Sequence, residues 1–167
     1  MKKSGKNHGF SASRSYGFTL LEVIISVFIL SIGTLTVLGL ISDSLQVVSV
    51  TKKAVIAANL AQEGIEAVRG IRDGNWIQGE SYDNGLTSGD SCVNYNSTSL
   101  ISPCADSTIY WNGSKYSHSG GSATDFLRTI NIANDSDSEG LPYLRVRSTV
   151  SWDSRSIMVE DHLYDWR

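Results

Sequence analysis

Twenty consecutive residues without a charge, Val23 to Ser42 (VIISVFILSIGTLTVLGLIS), constrain this chain more than any other feature. At about 1.5 Å per residue they make a helix roughly 30 Å long, the thickness of a bilayer's hydrocarbon layer. The run is apolar all round, and a body of about 150 residues cannot easily wrap such a cylinder, which argues against a buried helix of a soluble domain. A secretory signal usually has an apolar core of roughly 7–15 residues followed by a small-residue cleavage site, whereas this run is longer and passes into a two-faced pattern. A single membrane pass is the expected reading. Lys2, Lys3, Lys6 and Arg14 precede the run and no acid accompanies them, so the leading side is expected to be cytoplasmic and the residues beyond 43 outside.

Charge divides along the same line. The whole chain carries 14 Lys+Arg against 17 Asp+Glu, a net of −3. Setting aside the four basic residues of the first 17 leaves ten basic against 17 acidic residues, a net of −7 for the body. A dedicated nucleic-acid binder would carry its positive stripe on the folded part, so no nucleic-acid partner is expected.

Beyond Thr51 small or apolar residues recur at Ala54, Ala57, Ala58, Ala61, Gly64, Ile65, Val68 and Ile71. Lys52, Asn59, Gln62, Glu63, Glu66, Arg69 and Asp73 take the other positions, which is a helical period with one apolar face. Glu66–Arg69 and Arg69–Asp73 are spaced for ion pairs along the polar side. No proline interrupts residues 18–74, and Gly70 and Gly74 offer the stop. One helix of about 54 residues, roughly 80 Å, is therefore expected, its first half in lipid and then against other helices, its second half on a sheet of the same chain. Ser26, Ser31, Gly33, Thr34, Thr36 and Gly39 on the first half would allow close approach and inter-helix hydrogen bonds, though small residues are also simply frequent in membrane helices.

Residues 74–104 are rich in Gly, Ser, Asn, Asp and Thr and are expected to form a long loop anchored by Trp76, Tyr82 and Tyr95. Ser107–Trp111, Phe126–Ile132, Tyr143–Trp152 and Ser156–Leu163 have the composition of strands. Leu144, Val146, Val150 and Trp152 alternate with Arg145, Arg147, Thr149 and Ser151, and a turn at Asp153-Ser154 makes the last two runs a hairpin. Asp165-Trp166-Arg167 is consistent with a strand tail packed back on the sheet. The expected fold class is α+β, a long N-terminal helix packed on a small antiparallel sheet.

Few residues invite chemistry. Cys92 and Cys104 would close a loop of about 13 residues, and an oxidised pair is expected outside the cytoplasm, with free thiols or an intermolecular bond as alternatives. Asp135, Asp137 and Glu139, with Gly140 sixth, resemble the opening of a calcium loop, but the twelfth position is Val146, and a solvated acidic turn is the stronger reading. Asn96, Asn112 and Asn134 begin N-x-S/T triplets, common by chance in such loops. His8, His118 and His162 are far apart, and no nucleophile elbow, phosphate loop, CxxC or HExxH is present. Neither an enzyme nor a cofactor is expected.

Glu22 is the exception, because a carboxylate at the entrance of an apolar span is costly unless something pairs with it. Gly17-Phe18-Thr19-Leu20-Leu21-Glu22-Val23, after a short basic leader, resembles the processing motif of type IV prepilins and type II secretion pseudopilins. The resemblance implies a pilin-like fold, a membrane peptidase that cuts after Gly17, a methylated N-terminus at Phe18, and Glu22 as the fifth mature residue. Ala57 to Arg69 looks like the helix continuation of minor pilins of the PilV kind and pseudopilins of the GspI kind. Major pilins usually have proline at the twenty-second mature position, where this chain has Gly39, which fits a minor subunit better.

The implied organisation is a cleaved leader over 1–17, a transmembrane and assembly helix over 18–42, an amphipathic continuation over 43–73, and an extracytoplasmic loop and β domain over 74–167. The implied role is a structural subunit of a type IV pilus or type II secretion-like filament. Its partners would be the prepilin peptidase, other pilin or pseudopilin subunits and inner-membrane lipid. The alternative is a membrane-tethered external binding module or enzyme that works outside any filament. Glu22 is expected to be an assembly residue: the Phe18 amine of an incoming subunit could pair with its carboxylate, fixing axial register between packed helices.

Overall fold

The structure, a computed structural model, describes residues 17–165, so the leader before Gly17 and the expected tail at Trp166 and Arg167 lie outside the described residues. One helix, α1 (Leu20–Gln78), is followed by six strands: β1 (Gly89–Ser91), β2 (Thr108–Trp111), β3 (Tyr116–Ser117), β4 (Ser122–Ser136), β5 (Pro142–Trp152) and β6 (Arg155–Tyr164). All pair antiparallel in a single sheet of order β3-β2-β4-β5-β6, with β1 also on β4. This is the expected α+β arrangement.

The chain divides into two compact units, one ending at Val47 and one beginning at Val48. In the first, α1 is long and apolar enough to cross a membrane. Its Leu, Ile, Val and Phe side chains from Val23 to Leu40 are all exposed, so the apolar surface runs all round the helix. Helix continues through Gly33 and Gly39 without a break.

In the second unit the helical stripe is buried as its period requires. Ala57, Leu60, Ala61, Ile65, Val68 and Ile71 face the sheet. Toward Ala57 and Leu60 the core holds Ile109, Phe126, Val150 and Trp152. Toward Ile71 it holds Leu86, Val93, Ile130, Ile132, Leu144, Val146 and Leu163. Gly64 sits where helix and sheet come closest: a Cβ there would stand 2.5 Å from Ser148 Oγ and 2.8 Å from Ile130 Cδ1. A small residue at this position is what lets two elements pack at such short range.

The helix outruns both glycines expected to stop it. It ends at Gly79 (φ 78°), whose N–H donates to Trp76 O (3.1 Å) while Glu80 N–H donates to Asn75 O (2.9 Å). These two bonds cap the last carbonyls around a left-handed residue that glycine adopts without steric cost. Gly70 and Gly74 stay helical because Ile71 and Asn75 are buried, and Asn75 Nδ2 donates to Asn84 O (2.8 Å). Tertiary contacts here override a local penalty of about 1 kcal/mol per glycine.

The expected loop is thus shorter and more structured. Its strand β1 pairs with β4 from Gly89↔Ile132 to Ser91↔Ile130. Cys92 and Cys104 form a disulfide with Cα atoms 5.0 Å apart. Cys92 and Ile101 exchange two backbone hydrogen bonds of 2.8 Å inside the closed loop. The β5–β6 hairpin turns at Asp153 (φ 42°) and Ser154 (φ 62°), the two left-handed residues of a tight turn whose twist matches its strands. Of the ion pairs expected on the helix, Glu66–Arg69 forms (2.5 Å). Asp73 pairs instead with Arg72 (2.9 Å), and Arg69 turns to Asp161 on β6 (2.8 Å) because its side of the helix faces that strand.

Candidate functional site at the head of the apolar helix

Gly17, Phe18 and Thr19 lie outside the helix and are exposed. Thr19 is the N-cap: its carbonyl accepts the first helical bond from Val23 N–H (3.2 Å) and its Oγ1 accepts the N–H of Glu22 (3.3 Å). Thr19-Leu20-Leu21-Glu22 has the spacing of a capping box, in which the carboxylate three residues after the cap would reach back to the cap's own N–H. Only the threonine arm is made. Among the described residues the Glu22 carboxylate has no hydrogen bond and no ion pair, so an exposed acid at the start of an apolar helix is left to find a partner elsewhere.

The small polar residues further along have already found theirs. Ser26 donates to Glu22 O (2.7 Å), Ser31 to Val27 O (2.7 Å), Thr34 to Leu30 O (2.8 Å) and Thr36 to Ile32 O (2.8 Å). Each hydroxyl back-bonds one turn within its own helix. Their donors are thus satisfied within the helix. Between Leu20 and Ile41, Glu22 is the one ionisable side chain.

The remaining residues singled out in the sequence are held by the fold. Asp135 accepts from Arg145 Nη1 (2.8 Å), and Asp137 Oδ1 accepts the backbone N–H groups of Glu139 (3.0 Å) and Leu141 (2.9 Å) to shape the β4–β5 turn. Two of the three carboxylates in calcium-loop order, Asp135 and Asp137, are thus spent on strand pairing and turn geometry, while Glu139 contributes its backbone N–H to the turn.

Two residues carry more than sequence reasoning assigned them. Arg128 on β4 is fully buried. Its guanidinium donates to Leu60 O (3.0 Å) and Glu63 Oε1 (2.8 Å) on the helix and to Val93 O (2.6 Å) beside the disulfide. One cation therefore ties helix, sheet and loop together. The signal was present, since Arg128 falls in phase with Phe126, Ile130 and Ile132. His118, after β3, has its backbone N–H on Asn94 Oδ1 (2.7 Å). Burial, and then the Arg128 charge, push its pKa down to about 4 against the opposing pull of Asp106. Its folded pKa is below the unfolded value of about 6.5, so the unfolded state binds the extra proton as pH falls. The thermal midpoint of the full chain in detergent is expected to decline from pH 6.5 toward 4, and His118→Leu to decline less over that window. Parallel curves would remove His118 from this role.

An apolar N-terminal helix leading into a packed antiparallel sheet is a pilin-like arrangement. Residues 12–38, which hold Gly17, Phe18, Thr19 and Glu22, match the prokaryotic N-terminal methylation motif. The match supports a type IV pilin-like protein and points to a structural protein rather than an enzyme. No curated protein and no solved structure matches the chain.

Proposed function

We propose that this chain is a minor pilin or pseudopilin: a structural subunit of a type IV pilus or a type II secretion-like filament. It is made as an inner-membrane precursor with residues 1–17 on the cytoplasmic side. The prepilin peptidase cuts after Gly17, Phe18 becomes the methylated N-terminus, and the freed helix packs with those of other subunits while the disulfide-closed β domain lies outside. The observation that carries this reading is the Glu22 carboxylate, unpaired among the described residues, at the head of an apolar helix and inside the matched motif. An acid carried into an apolar environment needs a cation, and the processing reaction creates one four residues upstream. Methylation of that amine keeps its positive charge.

Mass spectrometry of the protein purified from membranes tests the proposal. The expected N-terminus is methylated Phe18, with co-purifying filament subunits. Recovery with Met1–Gly17 intact and no filament partner would point to a tethered external module instead.

A further inference from the structure

The helix cap lies two residues from the bond that processing would break, and its geometry bears on that reaction. In a helix continued backward, Glu22 N–H would donate to Phe18 O and Leu21 N–H to Gly17 O, four residues back in each case. The oxygen of the scissile carbonyl would then be held in the ladder and its backbone curled into the helix. The structure departs from this at Thr19. Its Oγ1 takes the Glu22 N–H (3.3 Å), the first helical acceptor is Thr19 O (3.2 Å from Val23 N), and Gly17 and Phe18 stay non-helical and exposed.

We propose that Thr19 is a positioning residue for processing, whose cap keeps the Gly17–Phe18 peptide bond outside the helix and open to the peptidase. This rests on the reading that the chain is a peptidase substrate. In the reaction, water adds to the Gly17 carbonyl carbon and the C–N bond to Phe18 breaks. Gly17 leaves with the new carboxyl group and Phe18 keeps the nitrogen as an amine that takes up the proton. Each step needs the carbonyl unencumbered and both faces of the peptide reachable. Gly17 helps from the other side, because a helical glycine is intrinsically disfavoured relative to alanine. The side chain at 19 is therefore required for its hydroxyl, as an acceptor at one particular amide.

The test compares full-length precursors in phospholipid nanodiscs, wild type, Thr19→Ala and Thr19→Ser, exposed to the prepilin peptidase. Thr19→Ala is expected to be cut about fivefold more slowly, the change in population that loss of one helix cap carries, and Thr19→Ser within about twofold of wild type. Carbonyl carbon-13 shifts at Gly17 and Phe18 should move toward helical values in Thr19→Ala alone. Wild-type cleavage of Thr19→Ala, slowing without that shift, or equal slowing of Thr19→Ser would each overturn the role of the cap while leaving the substrate reading in place. A wild-type precursor that the peptidase leaves intact would instead remove the reading itself, and this inference with it.

Discussion

Arg128→Met is expected to lower the thermal midpoint of the full chain by roughly 10 °C, the size of shift that a loss of about 3 kcal/mol produces in a domain of this length. Methionine keeps much of the volume, so little of the effect comes from a cavity. It comes from partners left behind: Val93 O loses a 2.6 Å donor and Glu63 loses a 2.8 Å cation. Stranding one member of a buried ion pair typically costs about 3–5 kcal/mol, and the lower end applies because the Glu63 side chain is still 34% exposed. Adding Glu63→Gln to Arg128→Met should recover part of the loss, since the remaining amide can be solvated more cheaply than a charge. Arg128→Lys should fall between, because an ammonium cannot serve Leu60, Glu63 and Val93 together. Circular dichroism melts in detergent measure all three, and an Arg128→Met midpoint within about 2 °C of wild type would show that the three-way tie contributes little.

The largest functional effect is expected at Glu22. Glu22→Leu should insert into the membrane at least as well as wild type, because a carboxylate at membrane depth opposes insertion by a few kcal/mol. Its recovery in sheared surface filaments, beside wild-type partners, should fall more than tenfold, since the incoming amine then meets no acid and is itself desolvated alone. Glu22→Asp, with the charge retained on a shorter stem, should lose less. Immunoblots of membrane and sheared fractions separate the two steps. Equal recovery of Glu22→Leu and wild type in filaments would remove the assembly role.

What could be seen in advance followed the strength of periodicity. The alternation from Tyr143 to Trp152 placed Leu144, Val146, Val150 and Trp152 on the buried face, and Asp153-Ser154 marked the turn. The stripe from Ala57 to Ile71 likewise announced the helix face that packs on the sheet. β1 was invisible because Gly-Asp-Ser has no strand character of its own and is recruited by β4. β4 runs further at both ends than Phe126–Ile132 suggests, since its flanks carry Ser122, Thr124, Asn134 and Ser136 and are held by cross-strand hydrogen bonds. The end of α1 was misplaced for a related reason: burial of Asn75 and the cap at Gly79 decide it, and neither follows from propensity. At the candidate site, Gly17, Phe18 and Glu22 stood out by motif. Thr19 as a cap acceptor needed the backbone, because the same threonine could as well have been an interior helix residue.

One flank of the sheet bears on how copies of this chain behave when crowded. Among the described residues β6 pairs only with β5 and leaves its other side open, and such a side invites the same strand of a neighbour to zip onto it. Near its middle sit Glu160, engaged with Arg147, and Asp161, engaged with Arg69. If two molecules joined this margin head to tail, those acids would face their own images while still bound to their arginines. Sheet fusion along this margin is disfavoured from within, which leaves β6 a poor seam between copies.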